Sequence, residues 1–284
     1  MALIGTMDSG VSALRTYEQG LEVIGNNIAN VSTNAFKSSS AHYADAFSDI
    51  LQGSSASGAA VQIGTGVLLA GVGTNFGQGQ VTTTGVPSNV AVSGSGFFVV
   101  KNPTSGDLFA TRDGAFTIDA NGYLVDSLGD RVQGLTGGSA STAPSTVGDI
   151  KLGTPPATTQ LLSYSIDTSG NFVETYSDGS TATTNAILLQ NYSNPAALQN
   201  SGNNLFTNMG AAGPVGGLAL TAANNTASTS GLGTIQGGAI EGSNVDLTQQ
   251  FSDLITTQRS FEAASRLITV SDTVLDDIVN LKRS

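Results

Sequence analysis

The stretch 246–282, DLTQQFSDLITTQRSFEAASRLITVSDTVLDDIVNLK, decides the fold. It contains no Gly and no Pro, so nothing in it breaks a helix. Leu247, Leu254, Phe261, Ile268 and Leu275 recur every seventh residue, and Phe251, Gln258, Ser265, Asp272 and Val279 form a second series with a polar middle. This spacing predicts one long amphipathic helix carrying a heptad seam. Asp246 stands where an N-cap is needed, with Gln249 three residues on to complete a capping box. Lys282 and Arg283 complement the negative end of the helix dipole.

The other end of the chain repeats the design more weakly. Met7, Leu14, Leu21 and Ile28 are spaced by seven, and Gly10, Tyr17, Ile24 and Val31 form the companion series. A helix over residues 4–31 follows, flawed in its seam by Gly10. Gly5, Gly10, Gly20 and Gly25 each cost about 1 kcal/mol relative to Ala in a helix interior. With nucleation unfavourable in water, this helix is marginal alone and stable only when its seam is covered. Two heptad stripes at the two ends of a chain whose middle is not helical imply that the termini meet and form one discontinuous domain.

The middle is β-like. Leu108 to Asp119 reads as strand, turn and strand, with Asp113-Gly114 as a hairpin turn. Thr117-Ile118-Asp119-Ala120-Asn121-Gly122-Tyr123-Leu124-Val125 has the same form as Ser165-Ile166-Asp167-Thr168-Ser169-Gly170-Asn171-Phe172-Val173, which predicts two hairpins in one sheet system. Residues 137–146 and 208–238 are rich in Gly, Ala, Ser, Thr and Asn and read as long loops or weakly patterned strands. The expected class is α+β: a discontinuous, coiled-coil-like terminal helical domain (1–35 and 243–284), an extended linker (36–75) and a mainly β outer domain (76–242).

Composition narrows the chemistry. The 284 residues carry 21 acidic and 10 basic side chains, a formal charge of −11, and only 11% of positions are charged. Ser, Thr, Asn and Gln fill about a third of the chain, beside 36 Gly. There is no Cys, so disulfide scaffolds and Cys-based zinc sites are excluded. Acid outnumbers base two to one, which argues against a nucleic-acid platform. The N-terminus lacks the basic region and apolar core of a Sec signal peptide. No apolar run approaches the length of a membrane span.

Candidate catalytic groups are few. His42, the single His, follows Ser38-Ser39-Ser40 and precedes Asp45, without a nucleophile elbow. Asp119-Ala120-Asn121-Gly122 is superficially like a calcium loop, but its Gly comes too early and a hairpin turn explains it better. Gly64-Thr65-Gly66 and Gly94-Ser95-Gly96 lack the rest of a phosphate loop. Glu occurs at 18, 22, 174, 241 and 262, four of them in or beside the terminal helices. No catalytic, cofactor or metal site is expected.

The segment Ile24-Gly25-Asn26-Asn27-Ile28-Ala29-Asn30-Val31-Ser32-Thr33-Asn34-Ala35-Phe36-Lys37-Ser38 resembles the N-terminal signature of bacterial flagellar rod and hook proteins. The usual Gly before Phe-Lys is Ala35, which argues against a left-handed backbone there. Gly85 to Val100, Thr111-Arg112-Asp113-Gly114-Ala115-Phe116 with Asn121 to Val125, Ser243-Asn244-Val245-Asp246-Leu247, and Gln258-Arg259-Ser260-Phe261-Glu262-Ala263 are similar to the family's further blocks. Within the family, residues 163–195, 200–206 and the C-terminal ending look hook-like, whereas the length is nearer that of distal rod proteins. The expectation is a short hook subunit forming a flexible joint between rod and filament, with the distal rod as the alternative.

The resemblance implies a helical tube around an export channel, with no enzymatic step and no cofactor. It implies self-association, contacts with other rod, hook-cap and hook–filament junction proteins, and passage through the flagellar type III export apparatus, with no nucleic acid and no membrane insertion. The implied location is the basal body and hook, outside the cell. The motif residues Asn26, Asn27, Ile28, Ala29, Asn30, Thr33, Phe36 and Lys37 and the seam residues Met7, Leu14, Leu21, Leu247, Leu254, Phe261, Ile268 and Leu275 are the expected polymerisation determinants.

Overall fold

The computed structural model describes residues 2–52, 61–138, 144–153 and 160–281. The chain divides into two compact units. One takes the residues up to Val31, Ser38–Asn75 and those from Val245 on; the other takes Ser32–Lys37 and Phe76–Asn244. Lys282 and Arg283 lie outside the described residues, as do 139–143 of the expected 137–146 loop.

The first unit holds helix α1, Ala2–Ala29, and helix α2, Leu247–Leu281, packed together as the paired heptad stripes predict. Asp246 caps α2, its Oδ1 accepting from the N–H of Thr248 at 2.8 Å and of Gln249 at 3.3 Å. The capping box does not close, because the Gln249 amide donates to Asp253 one turn on instead. Between the helices in sequence, Ser39–Asp45 pairs antiparallel with Val67–Thr74, and Ser48–Gln52 with Val61–Gly64, so the stretch expected as an extended connection is extended and paired with itself. Ser12 on α1 holds this ladder by donating to the Val67 carbonyl and accepting from its N–H.

The helix faces differ from the heptad reading in one respect. In α1 the buried positions are Gly10, Thr16, Gly20, Ile24 and Asn27, while Met7, Leu14, Leu21 and Ile28 are half-buried. Gly10 is therefore no flaw. A Cβ there would meet Ile268 at 2.9 Å, and one at Gly20 would meet the Tyr43 hydroxyl at 2.0 Å. The glycines admit close approach, and that approach offsets their cost in helix propensity. In α2 the second series runs Gln250, Thr257, Ala264 and Ser271, one residue before the expected Phe251, Gln258, Ser265 and Asp272. Small side chains sit inward because α1 comes close, and Phe251 stays exposed.

The second unit is built on a large antiparallel sheet with strand order 161–166, 171–176, 181–187, 131–136, 97–101, 108–111, 205–207 and 199–202. Val90–Ser93 pairs with Thr234–Gly237, and Val81–Thr83 with Ala239–Glu241. The run Phe97-Phe98-Val99-Val100 is buried on both faces, which is why it lacks polar alternation. Phe98 packs edge-on to Phe116 in a core with Val90, Leu124, Val132, Phe172 and Ile187. Phe97 points the other way, to Phe76, Tyr192 and Phe206.

Both repeats flagged in the sequence are hairpins of this sheet system. Asp119 and Asp167 open turns of one build. Each carboxylate accepts two backbone N–H groups, from Asn121 and Tyr123 in the first and from Ser169 and Asn171 in the second. Gly122 and Gly170 supply the same φ of +84°. The Asp119 carboxyl is held below its ordinary range, chiefly by the Tyr123 N–H. Asp113-Gly114, by contrast, is not a hairpin turn. Leu108–Thr111 pairs with 97–101 and 205–207, whereas Thr117–Ile118 pairs with Leu124–Val125. Gly114 lies where a Cβ would fall 1.5 Å from the Val90 carbonyl oxygen. Gly114→Ala should therefore cost the β unit at least about 2 kcal/mol by overpacking, read as a lowered urea midpoint; an unchanged midpoint would refute the close-approach reading.

Candidate functional site

Two clusters gather the motif residues, one in each unit. In the helical unit Asn27 is 1% exposed. Its amide nitrogen donates to the Ser39 carbonyl at 2.7 Å and to Gln250 Oε1 on α2 at 2.8 Å, and its oxygen accepts the Ser39 N–H at 2.9 Å. One buried amide thus ties α1, the first strand and α2, with every partner polar and satisfied. Asn30 closes the helix end, its side chain donating to the carbonyl and the side-chain oxygen of Asn26. Ile28 is half-buried and Ala29 exposed.

In the β unit, Ser32–Lys37 is an integral segment. Thr33 is half-buried and its carbonyl accepts the Phe36 N–H. Ala35 and Phe36 are buried. Ala35 has a φ of +54°, so the left-handed backbone that its side chain argued against is present after all. The surroundings over-determine it: the Ala35 N–H donates to the Glu241 carbonyl at 2.8 Å, and Asn34 accepts from the Asn204 amide at 2.7 Å. The methyl is fully buried, which recovers part of the steric cost.

Beside it lies a buried ion cluster. Lys37 Nζ donates to Glu241 Oε1 at 2.6 Å and to the Gly77 carbonyl at 2.9 Å. The Gly79 N–H donates to the same oxygen at 2.8 Å. Arg112 Nη1 stands 3.5 Å from Glu241 Oε2, its Nη2 donates to the Gly94 carbonyl, and its guanidinium lies over the Phe97 ring. These three charged side chains are at most 4% exposed. Burial pushes the Lys37 ammonium and the Arg112 guanidinium below their ordinary ranges, with Glu241 pulling both back up. Lys37, Arg112 and Glu241 come from the N-terminal, central and C-terminal parts of the chain, so three sequence blocks converge on one carboxylate.

The sequence pointed to Lys37 and contained Arg112 in a quoted block, but it missed Glu241. The signal was there. Two of only ten basic residues stand in apolar motif blocks, and buried cations demand a counter-charge. The seam residues all lie in the helical unit. Met7, Leu14, Leu21, Leu254, Ile268 and Leu275 are half-buried, while Leu247 and Phe261 are 39% and 36% exposed. His42 is far from a triad in character: its ring meets only the Ser40 hydroxyl, at 3.4 Å. Among the described residues no acidic or His cluster could hold a metal, and no helix is long and apolar enough to cross a membrane.

Three family models match the chain. Residues 7–37 match the flagella basal body rod protein model, 91–174 the D1 domain of the flagellar hook proteins FlgE/F/G, and 236–281 the C-terminal region of the flagellar basal body rod FlgEFG proteins. The chain is 33% identical to the flagellar basal-body rod protein FlgG of Bacillus subtilis, over 99% of this chain and 100% of that one. It is 29% identical to the FlgG of Borreliella burgdorferi over 100% and 99%. The flagellar hook protein FlgE of Treponema pallidum is 38% identical over 46% of this chain but only 30% of its own.

Two outcomes follow from the cluster. Glu241→Gln keeps the shape and removes the charge, leaving two buried cations unpaired; unfolding in urea should show a loss of about 3 kcal/mol or more, and a loss under about 1 kcal/mol would mean the charge is dispensable. At position 35, Gly should fall within about 1 kcal/mol of Ala, whereas Ala35→Val, β-branched at positive φ, should cost more than about 2 kcal/mol.

Proposed function

Since the chain belongs to the flagellar rod and hook protein family, we propose that it is the distal rod protein, a structural subunit that polymerises into the helical tube of the basal body. The observation that carries this reading over the hook is the end-to-end match with rod proteins of nearly equal length. The hook-like look of 163–195 does not discriminate, because its strands belong to the same sheet as the blocks shared by hook and rod proteins. The role is structural and involves no chemical step.

The helical unit supports polymerisation on physical grounds. α2 turns its small side chains toward α1 and leaves Phe251, Ile255, Leu267, Val270, Val274, Ile278 and Val279 exposed. At about 25 cal/mol per Å2, covering such a face is a substantial gain. A tube in which α helices of neighbouring copies pack side by side covers it, and a head-to-tail contact that does not close on itself builds a filament. In this reading the Asn27 clamp fixes the angle of α1, and the Lys37–Glu241–Arg112 cluster anchors the segment that follows α1.

Removing residues 1–30 should leave a folded β unit that no longer polymerises. Sedimentation and electron microscopy check this against the full chain; tubes from the truncated protein at the same concentration would overturn the assignment of α1 to assembly. Localisation by electron microscopy separates the two family readings, with labelling confined to the rod expected and labelling of the hook counting against it.

A further inference from the structure

The β unit has ten acidic and five basic residues. Lys37 and Arg112 are buried in the cluster above, which leaves Lys101, Arg131 and Lys151 as its solvent-accessible cations. All three stand on one face of the sheet. Lys101 is directly opposite Arg131 in the antiparallel register, and Lys151 is opposite Tyr123. Directly opposed residues share a face. The Arg131 guanidinium lies 4.0 Å and the Lys151 ammonium 5.1 Å from the centre of the Tyr123 ring.

Their charges are not equally engaged. Arg131 is paired with Asp149 at 2.9 Å, and Gln133 donates to the same carboxylate at 2.8 Å. Among the described residues no carboxylate lies within 4.0 Å of Lys101 or Lys151. Beside them is an open cleft of about 430 Å3 lined by Tyr123, Thr136, Asp149, Lys151 and Asn185. The cleft is polar and cationic at one wall, in a unit whose remaining surface is acidic. That combination selects a small, polar, anionic guest.

The same unit carries such a guest. The turn Ser177-Asp178-Gly179-Ser180 is exposed at all four positions. Asp178 accepts from the Ser180 N–H and hydroxyl, both on Oδ1, which leaves Oδ2 to solvent. Asp119 and Asp167, by contrast, each accept two backbone N–H groups that hold their own turns. We infer that the Lys101–Lys151 cleft of one copy receives the Asp178 turn of a second copy, as an outer head-to-tail contact of the polymer. This rests on the polymerising reading above, and adds to it a contact made by the β unit with the sign of charge specified.

The test uses the full chain and measures the critical concentration for polymerisation by pelleting and electron microscopy. The pair Lys101→Glu/Lys151→Glu, and separately Asp178→Lys, should each raise it by about fivefold or more while leaving the thermal melt in place. Combining all three substitutions in one chain should bring it back toward the unmodified value, since the signs are then exchanged. Lys101→Gln/Lys151→Gln, which introduces no repulsion, should give a smaller rise that salt does not enlarge. Polymerisation of the charge-reversed pair at the unmodified concentration, or failure of the triple variant to recover, overturns the contact. Absence of polymer from the unmodified chain overturns the rod reading, and this contact with it.

Discussion

The Glu241 carboxylate is the point on which the β unit closes. It accepts from Lys37, 204 residues away in sequence, and from the Gly79 N–H, and it faces Arg112. Its backbone carbonyl meanwhile accepts the Ala35 N–H. Such a cluster adds little net stability, because desolvating three charges consumes most of the Coulomb gain. What it imposes is uniqueness. A strand slipped by one residue would bury a cation with no anion, so only the native register of 239–241 against 81–83 satisfies all parties. The segment 32–37 is fixed by the same condition, and it carries the chain out of α1.

Legibility followed the range of the interactions. The helices were readable because a heptad is local information, and Asp246 announced the start of α2. What the heptad could not state was which flank of each stripe turns inward. That depends on Gly10 and Gly20, whose missing side chains let Ile268 and Tyr43 approach. Propensity counted those glycines as a cost, and packing reversed the sign. The turns at Asp119 and Asp167 were legible for the same local reason. Asp113-Gly114 was misread because a close backbone approach to Val90 and a tight turn both ask for glycine, and only the fold decides between them. The order of the sheet, in which 131–136 lies between 181–187 and 97–101, is long-range pairing that no window of sequence contains. Of the candidate site, Lys37 was readable from the motif, Glu241 only by asking where two buried cations find their anion, and the backbone of Ala35 not at all.

The two units divide the composition noted in the sequence. Apolar surface left open is concentrated on α2, while the β unit buries its aromatic residues on both faces of the 97–101 strand and shows solvent mainly hydroxyls, amides and a few charges. Scarcity of charge there lowers repulsion between like copies and makes the placement of each remaining cation informative. A chain made to associate with itself can spend its apolar area at one face and use the rest for orientation.

The two edges of the large sheet show how such a chain avoids the wrong polymer. An open edge is a template for strand addition, and a protein stored at high local concentration with identical copies is the worst case for it. One edge is the short, fully exposed Gln199-Asn200-Ser201-Gly202; the other, 161–166, has its register broken by a bulge between Leu161 and Ser163. Neither presents a flat row of apolar, in-phase residues, so a ladder running from copy to copy has nowhere regular to start. Amyloid-like stacking and ordered tube growth compete for the same molecules, and the edges tilt that competition before the helices ever meet.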